Sequence, residues 1–196
     1  MITDLLRRRV AVRAFLDRPV PEDVLADMLE AARLSPSGGN EQPWRFGVVT
    51  DRGLIEQIAD IADGQSWIAT APLIVVLCTL LVSDDRGGRD TQVKRFPEHE
   101  AAIRGMDQHV FWALNQEEHQ TKIAGTHMAL AAWEHGVGSC WVSWFNVKQL
   151  AELLHLPAGC WPSEVLVFGY PKRESPPHSK KPLDKLVFQN VWQNRV

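Results

Sequence analysis

The chain has little with which to build a metal centre, a disulfide framework or a membrane span. Its three cysteines, Cys78, Cys140 and Cys160, lie far apart and form no C-x-x-C pair, which suggests neither a cystine scaffold nor a zinc site and points to a reducing compartment. His119, His127 and His135 recur every eight residues, not at the four-residue interval that stacks two rings on adjacent helical turns, so surface or packed histidines are expected. The most apolar run, Leu73 to Val82, falls well short of the roughly 20 residues a membrane helix needs and reads as a buried strand. Behind Met1 there is no apolar stretch of the secretory kind, only Asp4 and Arg7-Arg8-Arg9, so a cytoplasmic location is expected. A basic excess is missing as well: the formal net charge is -3, which argues against nucleic acid as a partner. Gly-x-Ser-x-Gly is absent, and Gly136-Val137-Gly138 lacks the third glycine and following helix of a dinucleotide fingerprint.

What is present fits one soluble domain, 1–196, with a sizeable core: 45% hydrophobic and 23% charged residues. A single tyrosine stands against eight tryptophans, a bias toward extensive apolar contact. Thr3 or Asp4 is placed to cap a first short helix ending in Arg7, Arg8 and Arg9, and an extended Val12-Arg13-Ala14-Phe15 follows. Pro21, Glu22 and Asp23 open a helix with Val24, Leu25, Met28, Leu29 and Ala32 on one face, running to Arg33 or Leu34. Phe46 to Thr50 reads as a strand, and Asp51 as the cap of a helix bearing Leu54, Ile55, Ile58 and Ile61. The polar stretch Ser83 to Glu98 reads as a loop or lid. Glu100 to His135 has no proline and reads as one or two long helices, with Ala124, Met128, Ala131, Ala132 and His135 on one stripe. Ser139 to Phe145 is expected as strand and turn, Asn146 as a helix cap, Glu164 to Gly169 as a strand, and Gly169-Tyr170-Pro171 as the start of an extended tail.

The chain is organised around Ser35-Pro36-Ser37-Gly38-Gly39-Asn40-Glu41-Gln42-Pro43-Trp44-Arg45-Phe46. Two glycines free the backbone for positive φ, two prolines stiffen the flanks, and Ser37, Asn40 and Trp44 add polar groups and an apolar face. On composition alone this is helix-to-strand punctuation. Together with RVAVRAF before it and GSCWVSWF, GYP and KKPL after it, the stretch resembles the nitroreductase-like flavoprotein family, from about Arg9 to about Val187. The four blocks together are fairly specific; any one alone is weak.

That resemblance implies an α+β fold: a central, mostly antiparallel sheet flanked by helices in an intertwined homodimer, with a lid-like insertion around 83–116 and an extended C-terminal tail from about 171. It implies FMN, held at residues 9–13, 36–40, 142–144 and 180. Arg9 becomes a phosphate ligand, and Arg13 reaches the ribityl chain and the pyrimidine edge. Val10 stands where the family has a basic residue and Ala11 where it has serine, so these two contribute only backbone or packing. Pro36, Ser37, Gly38 and Asn40 of one subunit cover the flavin held mainly by the other. The backbone at Val142, Ser143 and Trp144 lies beside the ring and offers an amide to its N5. Trp144 replaces a small residue, and its ring either narrows the pocket, stacks on the isoalloxazine or swings away. Lys180, where the family commonly has arginine, joins the phosphate with its charge but without a bidentate fork, and Lys181 can share the task. Arg95, Phe96 and Trp112 are candidates for substrate choice.

No catalytic side chain is singled out, as befits a flavoenzyme, where the cofactor carries the chemistry and the protein supplies position and electrostatics. The implied activity is an NAD(P)H-dependent FMN oxidoreductase that passes hydride through flavin N5 to a small electrophilic acceptor (nitroaromatic, quinone or enone) by a ping-pong mechanism. Two alternatives stand beside it. One is a flavin-dependent reductive dehalogenase or a flavin-consuming dimethylbenzimidazole synthase-like enzyme; the other is a flavin-binding protein with little turnover, motivated by Ala11 and Trp144.

Overall fold

The computed structural model describes residues 1–81, 88–114 and 118–192. Four strands form one antiparallel sheet in the order β1-β2-β4-β3: β1 Trp44–Val49, β2 Leu73–Leu80, β3 Gly138–Val142 and β4 Cys160–Gly169. Around it lie α1 Ile2–Arg8, α2 Glu22–Arg33, α3 Arg52–Ile61, α4 Gly88–Arg95, α5 Glu100–Gly105, α6 Gln108–Leu114, α7 Glu118–Glu134 and α8 Val147–Leu153. None of the described helices is long and apolar enough to cross a membrane.

Strand periodicity builds two cores from one sheet. Ile74, Val76 and Cys78 of β2 and Val165 and Val167 of β4 pack with Ile55 and Ile58 of α3 and Leu150 of α8. The alternate residues Leu73, Val75, Leu77, Leu166 and Phe168 pack with Met28 and Ala32 of α2 and Ala124, Met128 and Ala132 of α7. Successive side chains of a strand point to opposite faces, so both faces must be covered. The result is three layers, helices on sheet on helices.

Local signals explain most boundaries. Asp51 caps α3, its Oδ1 accepting from the Leu54 N–H at 2.9 Å, and Asn146 Oδ1 accepts from Gln149 N–H at 3.0 Å to cap α8. Pro21 is the cap residue of α2, one position before the first turn. The first helix differs from expectation: it begins at Ile2 without a side-chain cap, and Asp4 pairs instead with the N-terminal ammonium at 3.2 Å and Arg7 at 3.1 Å.

The stretch expected as a loop is partly helical, because residues 88–95 form α4; residues 82–87 lie outside the described residues. Likewise the described residues of 100–135 fall into three helices where one or two were expected, with a break at Met106 and Asp107. Met106 is extended at the end of α5, and Asp107 Oδ1 accepts from the N–H groups of His109 at 2.9 Å and Val110 at 3.2 Å, a cap that starts α6. Strand β4 begins at Cys160, earlier than expected. Pro162 removes a ladder donor, and the register with β2 shifts between Leu77 and Cys78, the kind of irregularity at which a strand tolerates proline.

Helix α7 rests on the sheet at Gly125, where an added Cβ would overlap Leu77 Cδ1 and stand 2.8 Å from Trp141 Cη2. Gly125→Val should therefore destabilise by about 1–3 kcal/mol, the range for overpacking a core, lowering Tm by roughly 2–4 °C per kcal/mol in a chain this long. Gly105→Ala, where a Cβ meets nothing within 4 Å, should leave thermal unfolding unchanged or raise its midpoint.

Candidate functional site

Beyond α1 the chain becomes extended, Arg9 having φ -64° and ψ 127°. In extended backbone alternate residues face opposite ways: Val10 and Val12 are buried, while Arg9, Ala11 and Arg13 face outward to differing degrees. The Val12 N–H donates to Ser139 O at 3.0 Å, and Ala11 bridges Ser139 in parallel register. Gly138 permits this approach, since a Cβ there would stand 2.5 Å from Val12 Cγ2. Its role is thus close packing, and the helix end falls to Gly136, whose φ is 75°. The segment lies along the free edge of β3.

This docking sets Arg13 beside Cys140, with Arg9 farther along the same edge. Burial holds the Cys140 thiol above its ordinary range, against the opposing pull of the Arg13 guanidinium and, more weakly, of Arg9. Arg13 also lies over the Trp67 ring, 5.8 Å from its centroid, a cation–π contact. Past Val142 the chain leaves the sheet. Ser143 Oγ donates to Glu164 Oε2 at 2.6 Å, and Glu164 Oε1 accepts from Lys122 Nζ at 3.0 Å. The backbone N–H groups of Ser143 and Trp144 donate to no acceptor among the described residues. Trp144, 74% exposed, walls an open cleft of 550 Å³ with Asp60, Ser143, Asn146 and Gln149.

The SPSGGN loop lies elsewhere on the chain. Ser35 is buried with its Oγ 2.7 Å from His127 Nδ1, the Gly38 N–H donates to Gln120 Oε1 at 2.6 Å, and the Gln42 N–H donates to Ser37 Oγ at 3.0 Å. Gly39, Asn40 and Gln42 all have positive φ, at 57°, 55° and 50°, which for a glutamine is strained backbone. Pro36 and Asn40 are exposed. This loop feeds directly into β1, whereas Arg9 to Arg13 lie along β3, the opposite edge of the sheet.

One chain therefore lays Arg9, Val10, Ala11 and Arg13 along β3, the strand that ends in Val142 and runs on into Ser143 and Trp144. It keeps Pro36, Ser37, Gly38 and Asn40 apart from them. Lys180 and Lys181 sit on an exposed tail and form no hydrogen bond or ion pair among the described residues. Arg95 lies over Phe96, 5.6 Å from its ring centroid, at the end of α4; the Trp112 side chain lies outside the described residues.

Comparison with known proteins places the chain in a family. The sequence pattern of the Nitroreductase family matches residues 6–170. The chain belongs to the nitroreductase family. A curated NADH dehydrogenase of Thermus thermophilus is 30% identical over 197 residues, covering 95% of this chain and 94% of its own length. A Bacillus subtilis FMN reductase [NAD(P)H] is 26% identical over 188 residues, covering 94% and 72%. Nitroreductase A from Vibrio parahaemolyticus superposes with a TM-score of 0.77 at 21% identity, over 98% of this chain and 76% of that one; at that identity the likeness speaks for the fold. This nitroreductase-family chain has the antiparallel sheet and flanking helices the resemblance implied, and its chemistry is oxidoreduction of the nitroreductase type.

Reasoning from sequence missed Gln120, Lys122, Glu164 and Trp67. Glu164 carried a signal, an acidic residue opening an apolar run, but its burial depends on the strand extending back through Pro162. The thiols are a separate case. Burial, helped by contact with Cys160, pushes Cys78 up to about 12, and burial raises Cys160 as well. Since the thiolate is the nucleophile, iodoacetamide at pH 8 should alkylate all three cysteines at least about tenfold more slowly in the folded protein than in denaturant. Mass spectrometry showing fast native labelling of Cys140 would contradict the burial described.

Proposed function

We propose that this chain is an FMN-dependent NAD(P)H oxidoreductase acting on a small electrophilic acceptor of nitroaromatic, quinone or enone type. The observation that carries the reading is that one sheet edge holds the segment carrying Arg9 and Arg13 together with two backbone amides, Ser143 and Trp144, that donate to no acceptor among the described residues. That donor set suits FMN: an anionic phosphate for Arg9, the polar pyrimidine edge for Arg13, and a ring nitrogen for the amide of Ser143 or Trp144. Val10 and Ala11 contribute packing and backbone. When bound, FMN supplies the two-electron chemistry. The chain's own work is electrostatic. Arg13 offsets negative charge arising at the pyrimidine edge, a fixed charge of the kind that is worth most when water is excluded, and the 143–144 amide fixes the ring's orientation. A ping-pong order, with nicotinamide and acceptor using one cleft in turn, belongs to the same reading.

The site is completed by a second copy of the chain. Pro36, Ser37, Gly38 and Asn40 open onto the β1 edge, about 14 Å from the β3 edge at the usual strand spacing, so we read them as covering the partner's flavin. Residues 172–192 are exposed throughout, with Leu183, Leu186, Val187, Phe188 and Trp192 uncovered. An apolar tail of this kind fits wrapping around a partner, and it would carry Lys180 to a phosphate. We retain a single domain, a lid around 83–116 and a cytoplasmic setting as parts of the same reading.

Purified protein should show flavin absorbance in the visible that NADH or NADPH bleaches under anaerobic conditions. Arg13→Ala should slow bleaching by about 100-fold, the scale of losing one group that stabilises developing charge, while the Tm of the apoprotein moves little. Equal loss of bleaching and of folding would remove Arg13 from the role. Oxygen-dependent disappearance of the flavin itself would favour the flavin-consuming alternative.

A further inference from the structure

Glu164 is a carboxylate only 4% exposed within an apolar strand, and the two-core architecture does not require it. A buried ion pair is commonly no more stable than apolar residues of similar volume, so packing alone is a poor reason for it. Its position suggests another. Val142 pairs with Val165 as the last rung between β3 and β4. One residue further on, the ladder ends, and the short bond from Ser143 Oγ to Glu164 Oε2, 2.6 Å, takes its place. The remaining carboxylate oxygen is held by Lys122 Nζ at 3.0 Å.

The neighbouring residues repeat the tie. Thr79 Oγ1 lies 2.8 Å from Thr121 Oγ1 and 2.5 Å from Ser163 Oγ, so residues 121 and 122 of α7 hold 163 and 164 of β4 side by side. Helix α7 is thereby pinned in register against the strand that holds the Ser143 turn.

We propose that Lys122 and Glu164 are positioning residues: through Ser143 Oγ they fix the turn whose Ser143 and Trp144 amides face the flavin ring. This rests on the flavin reading above, but the tether itself is a property of the chain without cofactor. A Ser143 hydroxyl donated inward leaves the backbone, and not the side chain, to face a ligand. A carboxylate acceptor makes that bond a strong one, and Lys122, 3.0 Å from the other oxygen, orients it.

The test compares Ser143→Ala, Ser143→Thr, Glu164→Gln and the double variant Ser143→Ala with Glu164→Gln. In the apoprotein, hydrogen–deuterium exchange across 142–146 should quicken about tenfold in Ser143→Ala, with Tm held, and return toward wild type in Ser143→Thr. FMN affinity, read by quenching of flavin fluorescence, should weaken about tenfold in each of Ser143→Ala and Glu164→Gln. The double variant should be no weaker than the worse single one, as for residues acting through one contact. Should Glu164→Gln not fold, the two Ser143 variants carry the test alone. Unchanged exchange in Ser143→Ala, or losses that multiply in the double variant, overturns the proposal. Wild-type protein that takes up no FMN overturns the function reading instead, and the exchange experiment still decides the tether.

Discussion

A sheet whose central strands are apolar on both faces leaves polar chemistry only its edges and ends. Strands β2 and β4 fill two cores at once, and α2 with α7 and α3 with α8 cover them. Within that constraint the charged segment Arg9 to Arg13 can be accommodated only where a strand has a free side, and Gly138 leaves β3 open to it. The same constraint makes Glu164 conspicuous, because it is the polar side chain that reaches from the sheet interior toward that edge.

The placement of the site follows from this. The segment carrying Arg9 and Arg13 and two amides with no acceptor among the described residues lie at β3, while the strained SPSGGN loop, with Gln42 at φ 50°, leads into β1. In the proposed reading these are two parts of one site that a single chain does not close, and two chains related by a twofold axis oppose the β3 edge of one to the β1 loop of the other. The uncovered apolar tail fits the same arrangement. Helix α7 links the halves: Gln120 holds the loop at Gly38, and Lys122, two residues on, holds Glu164.

Much of this was legible in the sequence where a local rule governs. Asp51 and Asn146 announce their helices because a cap needs only its own next turn. The run Leu73 to Val82 announces a buried strand because every position in it but Thr79 is apolar. Arg9 and Arg13 could be singled out by resemblance, but the docking of their segment along β3 depends on the missing Cβ at Gly138, a close approach between distant parts of the chain that no local rule announces. Residues 88–114 were misjudged for a related reason. Their helices are short, each of two turns or so, so periodicity is weak, and the Asp107 cap lay inside a stretch that reads as one or two long helices. Glu164 was read as a strand's first residue, whereas the strand runs back through Pro162 to Cys160 with a register shift opposite the proline.

The central claim is that positive charge on the β3 edge holds one flavin per chain against the loop of a second copy. Sedimentation velocity followed at a visible wavelength absorbed by flavin tests this directly. The account predicts that colour sediments with a dimer carrying one FMN per chain and is lost when Arg9 and Arg13 are both replaced by alanine. Colour travelling with a monomer, or retained in full by the double variant, would contradict it.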